Sequence, residues 1–283
     1  YLEYFAGWAD KLDGRLPAQR TDALNYILRE PLGVVAHIIP WNYPADIFLR
    51  GVAPCLAIGN TVVIKPDEET PFACIEVAKL SKEAGIPDGV VNLVTGLGVE
   101  AGAALAGHPG IQALAFCGSI PTGIEVLKLA APNLTPVISV ELGGKSANIL
   151  FDDCDVEGIA GGAAWGICWN TGQSCGAQSR LLVPRKRAEA AASRIIETMN
   201  TIKVGYGLDD PNMGSLISEA HLERVQGYIE GGNKQGAKLA FGGQRITEGP
   251  LSKGAFIQPT LFTGVKPEMT ISKEEIFGPV LSM

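Results

Sequence analysis

A chain of 283 residues, 46% of them apolar, can bury one large or two modest cores. Its net charge of −7, with no block of Lys or Arg, speaks against a nucleic-acid or anionic-membrane partner, and no apolar run reaches transmembrane length. Six cysteines without a Cys-x-x-Cys pair, and three histidines (His37, His108, His221) without ligand spacing, speak for reduced thiols in a cytoplasm-like compartment and against a metal site.

In chain order, residues 1–32 read as a helix end and a polar connection. Short runs rich in Val and Ile predict buried strands at 33–39, 61–64, 90–94, 111–116 and 136–140. Helical stretches lie between most of them. The clearest is 71–84, where Thr70 can cap, Pro71 suits the first turn and Gly85 can end the helix. This alternation predicts an α/β fold with a parallel, doubly wound sheet. After the Gly143-Gly144 turn a second set begins. It comprises a strand at 146–150, a helix at 155–169, a strand at 179–183, helices at 186–200 and 218–235, and strands at 237–241 and 256–262. The expected domains are therefore 33–142 and 143–283. The chain opens on Tyr1 and closes inside the apolar run Phe277–Met283, so it is expected to be a piece of a longer protein.

Two motifs, whose Glu141 and Cys175 stand 34 residues apart, carry the chemistry: Glu141-Leu142-Gly143-Gly144-Lys145-Ser146 and Asn170-Thr171-Gly172-Gln173-Ser174-Cys175. A thiolate can attack a carbonyl and become acylated, and a carboxylate can activate water to release the acyl group. A lone Cys is usually a buried small hydrophobe, which suits Cys55, Cys74 and Cys168. Cys175 stands among Gly, Gln and Ser, which is poor core material. Gly172-Gln173-Ser174-Cys175-Gly176 also matches the Gly-x-Ser-x-Gly elbow, but that elbow needs a strand before it and a helix after it, so Ser174 is rejected as nucleophile. Glu141 ends the apolar run Pro136–Val140, although a solvated loop Glu is the commoner fate of such a residue. Asn42, inside Pro40-Trp41-Asn42-Tyr43-Pro44, offers a side-chain amide to an oxyanion, or else is an ordinary turn Asn.

Two further segments suit ligand binding. Lys65-Pro66-Asp67-Glu68 leaves a strand at its C-terminal end, where open α/β sheets bind ligands, although Lys65 and Glu68 equally fit a solvated pair. Phe116-Cys117-Gly118-Ser119 joins a strand to a helix, whose free N–H groups attract phosphate. Gly96, Gly98 and Gly102 read as close-packing turns.

Together these segments resemble the NAD(P)-dependent aldehyde dehydrogenase superfamily, over essentially the whole chain. The resemblance implies a Rossmann-type cofactor domain, an α/β catalytic domain and, in 1–32, part of an oligomerisation arm. It implies oxidation of an aldehyde to an acid through a cysteine thiohemiacetal and thioester. Cys175 is then the nucleophile, Glu141 the general base, and Asn42 with the Cys175 N–H the oxyanion hole. The cofactor is expected to be NAD rather than NADP, because Glu68 would repel a 2′-phosphate. Its matching contacts are Ile39, Pro40 and Trp41, the ribose pair Lys65 and Glu68, and Gly98 and Gly102 near the adenine. Phe116, Gly118 and Ser119 match the pyrophosphate turn, Leu142 and Gly143 follow the base, and Glu275 and Phe277 match the nicotinamide side. Cys117 stands where Thr is usual. For the substrate, Arg50 is similar to the carboxylate-binding Arg of succinate-semialdehyde dehydrogenases. Their second Arg is replaced by Trp169, however, and Trp169, Tyr43 and Ile47 suit an apolar or aromatic aldehyde. A homodimer or homotetramer is implied. A relative releasing a CoA ester and a non-catalytic protein on the same fold are the alternatives.

Overall fold

The computed structural model describes residues 1–18 and 21–283; residues 19 and 20, within the predicted arm segment, lie outside the described residues. Two compact units divide the chain, Tyr1–Leu142 and Gly143–Met283.

The first unit opens with the short helix α1 (Leu2–Ala6), and further on Arg15 and Ile27 form a single antiparallel bridge. Its body alternates β1 (Val34–Ile38), α2 (Pro44–Ala57), β2 (Thr61–Lys65), α3 (Pro71–Glu83), β3 (Val91–Leu93), α4 (Ala103–Ala106), β4 (Ala113–Gly118), α5 (Ile120–Ala130) and β5 (Val137–Leu142). All five strands are parallel, in the order β3-β2-β1-β4-β5. That order reverses direction between β1 and β4, which opens a crevice at their carboxyl ends. Two apolar clusters cover the faces of the sheet, one containing Ala36, Leu114 and Val126, the other Ile39, Phe48 and Ile64.

Thr70 precedes α3 as predicted but does not cap it: its hydroxyl donates to the Trp41 carbonyl at 3.2 Å, tying α3 to the end of β1. Gly85 does follow the helix with φ of 90°.

One buried group in this unit sets a pH dependence. His37, in the middle of β1, is 4% exposed, and its Nδ1 has no hydrogen-bond partner. The imidazole lies against Gly51 of α2, where any Cβ would collide with it. Burial, reinforced by the Arg50 guanidinium, pushes its pKa from 6.5 down to about 4. The folded chain therefore refuses a proton that the unfolded chain binds, and this stability is lost as pH falls through 6.5 towards 4. Between pH 7 and pH 5 the loss is roughly 2 kcal/mol. Urea unfolding at both pH values is expected to show that much less acid sensitivity in His37→Gln than in the unaltered chain.

The second unit contains β6 (Ala147–Ile149), α6 (Val156–Cys168), β7 (Arg180–Leu182), α7 (Ala188–Thr201), α8 (Glu219–Lys234), β8 (Lys238–Phe241), β9 (Thr260–Thr263), α9 (Thr270–Lys273) and β10 (Val280–Ser282). Its sheet has the order β6-β7-β10-β9-β8, parallel except for β8 against β9. The strand expected at 256–262 begins only at Thr260. Pro259 has no N–H to give a ladder, and residues 256–258 pair instead with 244–246, through Ile246 N–H to the Phe256 carbonyl and Gln258 N–H to the Gln244 carbonyl. The final apolar run, unassigned from sequence, is the central strand β10.

Candidate functional site

The carboxyl ends of β1, β2 and β4 frame a cavity of about 800 Å³ within the first unit. From β1 come Ile39, Pro40 and Trp41; from β2, Lys65 and Glu68; from β4, Phe116, Gly118 and Ser119. Each reaches the cavity because its strand ends there. Lys65 is buried, and its Nζ donates to Glu68 Oε2 at 2.6 Å. The other Glu68 oxygen accepts from Gly98 N–H at 3.4 Å. Burial opposes ionisation of Glu68, but Lys65 and the backbone N–H groups outweigh it and hold the carboxyl below its ordinary range. Lys65 and Glu68 thus form an ion pair at the cavity, the Lys buried and the Glu exposed.

Gly98 and Gly102 line the same cavity, within one π-helical turn. The close-packing expectation holds only for Gly96, where a Cβ would sit 2.9 Å from the Ala101 methyl. A Cβ on Gly102 would meet nothing within 4 Å, and one on Gly98 only Glu68 Oε1 at 4.0 Å. These two glycines leave space open.

Ser119 caps α5, its Oγ accepting from Thr122 N–H at 3.3 Å, so the start of that helix faces the cavity. Gly118 has no Cβ because the Phe116 ring folds back beneath it, 2.6 Å from where a Cβ would lie. Cys117 is buried in the same wall.

Asn42 and Glu141 both belong to the C-terminal edge of this sheet. Asn42 lies in the bend between β1 and α2, pinned by Pro40 before it and by Pro44 at the first turn of α2. Glu141 is exposed near the end of β5, in register with Cys117 of β4. Leu142 packs on α5 at Gly123. Of the substrate candidates here, Ile47 is buried in the cluster with Phe48 and Val52, with Tyr43 packed against it, and Arg50 is half-buried on α2 beside His37.

In the second unit Cys175 is exposed, just after a turn of unusual backbone. Asn170, Thr171 and Gly172 all have left-handed φ, of 48°, 58° and 69°. For a β-branched Thr this conformation is strained by roughly 1–3 kcal/mol, and it persists only where its surroundings dictate it. Here they do. Thr171 Oγ1 donates to the Gly214 carbonyl at 3.2 Å. Gln173 is buried; its Oε1 accepts from Ile217 N–H at 2.8 Å and its Nε2 donates to the Asn170 carbonyl at 3.1 Å. At Gly172 any Cβ would collide with the Gly278 carbonyl. Gln173 is a supporting residue that sequence reasoning passed over; its only signal is a Gln beside the nucleophile motif. A 3-10 turn precedes Ser174 and β7 follows it, the reverse of the hydrolase elbow. Trp169 is 70% exposed and lines a second cavity of about 400 Å³ with Ser174 and Gly176.

Gly143, Glu275 and Phe277 also lie in this unit. Glu275 accepts from Gly144 N–H at 3.2 Å and occupies the space that a Cβ on Gly143 would need. Lys145 Nζ is buried, and burial with the Arg180 charge pushes it down to about 8, against the pull of Glu275. Among the described residues no group of three or more His, Cys, Asp or Glu could hold a metal ion, and no helix is long and apolar enough to cross a membrane.

The sequence model of the aldehyde dehydrogenase family matches residues 1–283. The chain belongs to this family. It is 45% identical over 284 residues to a hydroxyisobutyraldehyde dehydrogenase of Mycolicibacterium austroafricanum, covering 100% of this chain and 56% of that protein. Among solved structures it is similar to an NAD+ complex of an aldehyde dehydrogenase from Bacillus cereus (46% identity, TM-score 0.92, 99% of this chain and 56% of that one). It is also similar to a betaine aldehyde dehydrogenase of Staphylococcus aureus in complex with NAD+ (40% identity, TM-score 0.95, 99% and 55%). The chain thus spans little more than half the length of its aldehyde dehydrogenase relatives.

Proposed function

We propose that the protein containing this chain oxidises an aldehyde to a carboxylic acid with NAD. The observation that carries the reading is Cys175: the one exposed thiol among the described cysteines, following a strained turn that buried polar contacts hold in place.

The first unit's cavity fits NAD by its donor set. Lys65 and Glu68 suit ribose hydroxyls, the start of α5 with Ser119 suits a diphosphate, and the openness at Gly98 and Gly102 leaves room for a flat base. The carboxylate of Glu68 would repel a 2′-phosphate, which favours NAD over NADP. The NAD+ complexes of the B. cereus and S. aureus relatives support the same assignment. When bound, NAD supplies the hydride acceptor. Gly143, Glu275 and Phe277 are further proposed cofactor contacts, on the family resemblance of their motifs.

The chain's own residues then do the following. Cys175 Sγ bonds to the aldehyde carbon, giving a thiohemiacetal. The Asn42 side-chain amide and the Cys175 N–H donate to its oxyanion. Once oxidation leaves a thioester, Glu141 takes a proton from water, the water oxygen bonds to the acyl carbon, and the bond to Sγ breaks. Tyr43, Ile47, Arg50 and Trp169 are the proposed substrate contacts. Trp169 offers an apolar face, and the M. austroafricanum relative keeps small hydroxylated aldehydes in view. A homodimer or homotetramer in the cytoplasm goes with this reading.

The test is NADH formation by the full-length protein with aliphatic, aromatic and carboxylate-bearing aldehydes, together with identification of the product. NAD-dependent turnover to the free acid is expected. No turnover of any aldehyde by folded protein, or release of a CoA ester when CoA is supplied, would contradict the reading.

A further inference from the structure

Helix α8 carries three polar side chains, His221, Arg224 and Tyr228, spaced to share one face, beside the buried stripe Leu222, Val225 and Ile229. All three reach the segment 274–278. His221 Nε2–H donates to the Phe277 carbonyl at 2.6 Å, and the two rings meet edge to face at 6.1 Å. Arg224 donates to the Glu275 carbonyl at 3.0 Å and lies over the Tyr228 ring at 5.1 Å. Tyr228 Oη donates to Glu274 Oε2 at 2.9 Å. Val225 packs so closely under Gly278 that a Cβ there would lie 2.7 Å from its Cγ2.

The segment so held is not relaxed. Phe277 has φ of 63°, a strained value for an aromatic residue, and the Gly278 carbonyl abuts Gly172 in the turn before Cys175. Ser218 caps the start of α8, its Oγ accepting from His221 N–H at 3.2 Å.

We propose that His221, Arg224 and Tyr228 form a latch that positions Glu275 and Phe277 for the cofactor and, through Gly278, braces the nucleophile turn. They are positioning residues, acting through the backbone of 274–278. The inference rests on the NAD reading for its consequence but not for its geometry.

The test uses the full-length protein with His221→Leu, which deletes the donor, and His221→Gln, which keeps one, with Arg224→Ala alongside. Without cofactor, amide hydrogen exchange in 274–278 is expected to speed up in His221→Leu and Arg224→Ala and to return towards normal in His221→Gln, with the melting temperature unchanged. NAD binding by calorimetry should weaken roughly ten-fold in the first two variants, with kcat falling as well, while the aldehyde KM holds. Unchanged exchange and NAD affinity in both deletions would overturn the latch. So would equal loss in His221→Leu and His221→Gln with a lowered melting temperature, which would mark mere fold damage. If the unaltered protein binds no NAD, the proposed function fails, and the exchange comparison alone decides the latch.

Discussion

Cys175→Ala in the full-length protein is expected to lower NADH formation by roughly 10⁴-fold or more, the scale seen when a covalent nucleophile is deleted. Burial sets the other cysteines apart from Cys175. Burial pushes the Cys55 and Cys74 thiols up to about 11 and the Cys168 thiol to about 12, so all three stay protonated. Cys117 is buried in the cavity wall and Cys154 is half-buried. The substitution removes only an exposed sulfur, so stability should shift by no more than about 0.5 kcal/mol. NAD affinity should be retained. Steady-state NADH assay, calorimetric NAD binding and thermal melting together check this. Activity near that of the unaltered protein would remove Cys175 from the mechanism.

Glu141→Gln separates the two halves of the reaction. The amide keeps the size of the carboxylate but cannot take a proton from water. On the proposed mechanism, thiol attack and oxidation are expected to proceed while thioester hydrolysis slows by roughly 10²- to 10⁴-fold, the usual worth of a general base. Stopped-flow mixing with aldehyde and NAD should show a burst of about one NADH per site, followed by a very slow phase. Glu141 is exposed on the edge strand β5, so the fold should not register the change. A variant that turns over steadily without a burst would assign water activation elsewhere.

The parts of this molecule that were legible in the sequence are those governed by local rules. Val- and Ile-rich runs marked the five parallel strands, and strand ends brought Lys65, Glu68, Gly118 and Ser119 to one cavity, because a strand's carboxyl end is a local fact. What escaped depends on contacts between residues far apart in the chain. Nothing local predicts left-handed backbone at Thr171; the turn is anchored through Thr171 to Gly214 and through Gln173 to Ile217, each more than 40 positions away. The latch face of α8 reads as ordinary surface until 274–278 lies against it. Thr70 looked like a cap because Ser and Thr favour that role, yet the Trp41 carbonyl was the better partner. Strand β10 was too short to announce itself, and its central place comes from β7 and β9 on either side.

The most direct measurement is the mass of the Cys175 peptide from full-length Glu141→Gln protein quenched in acid after mixing with aldehyde and NAD. The account predicts an acyl group on Cys175, adding the mass of the aldehyde less two hydrogens, and none when NAD is omitted or when Cys175→Ala is combined. NADH produced with an unmodified Cys175, or acylation at another residue, would contradict it.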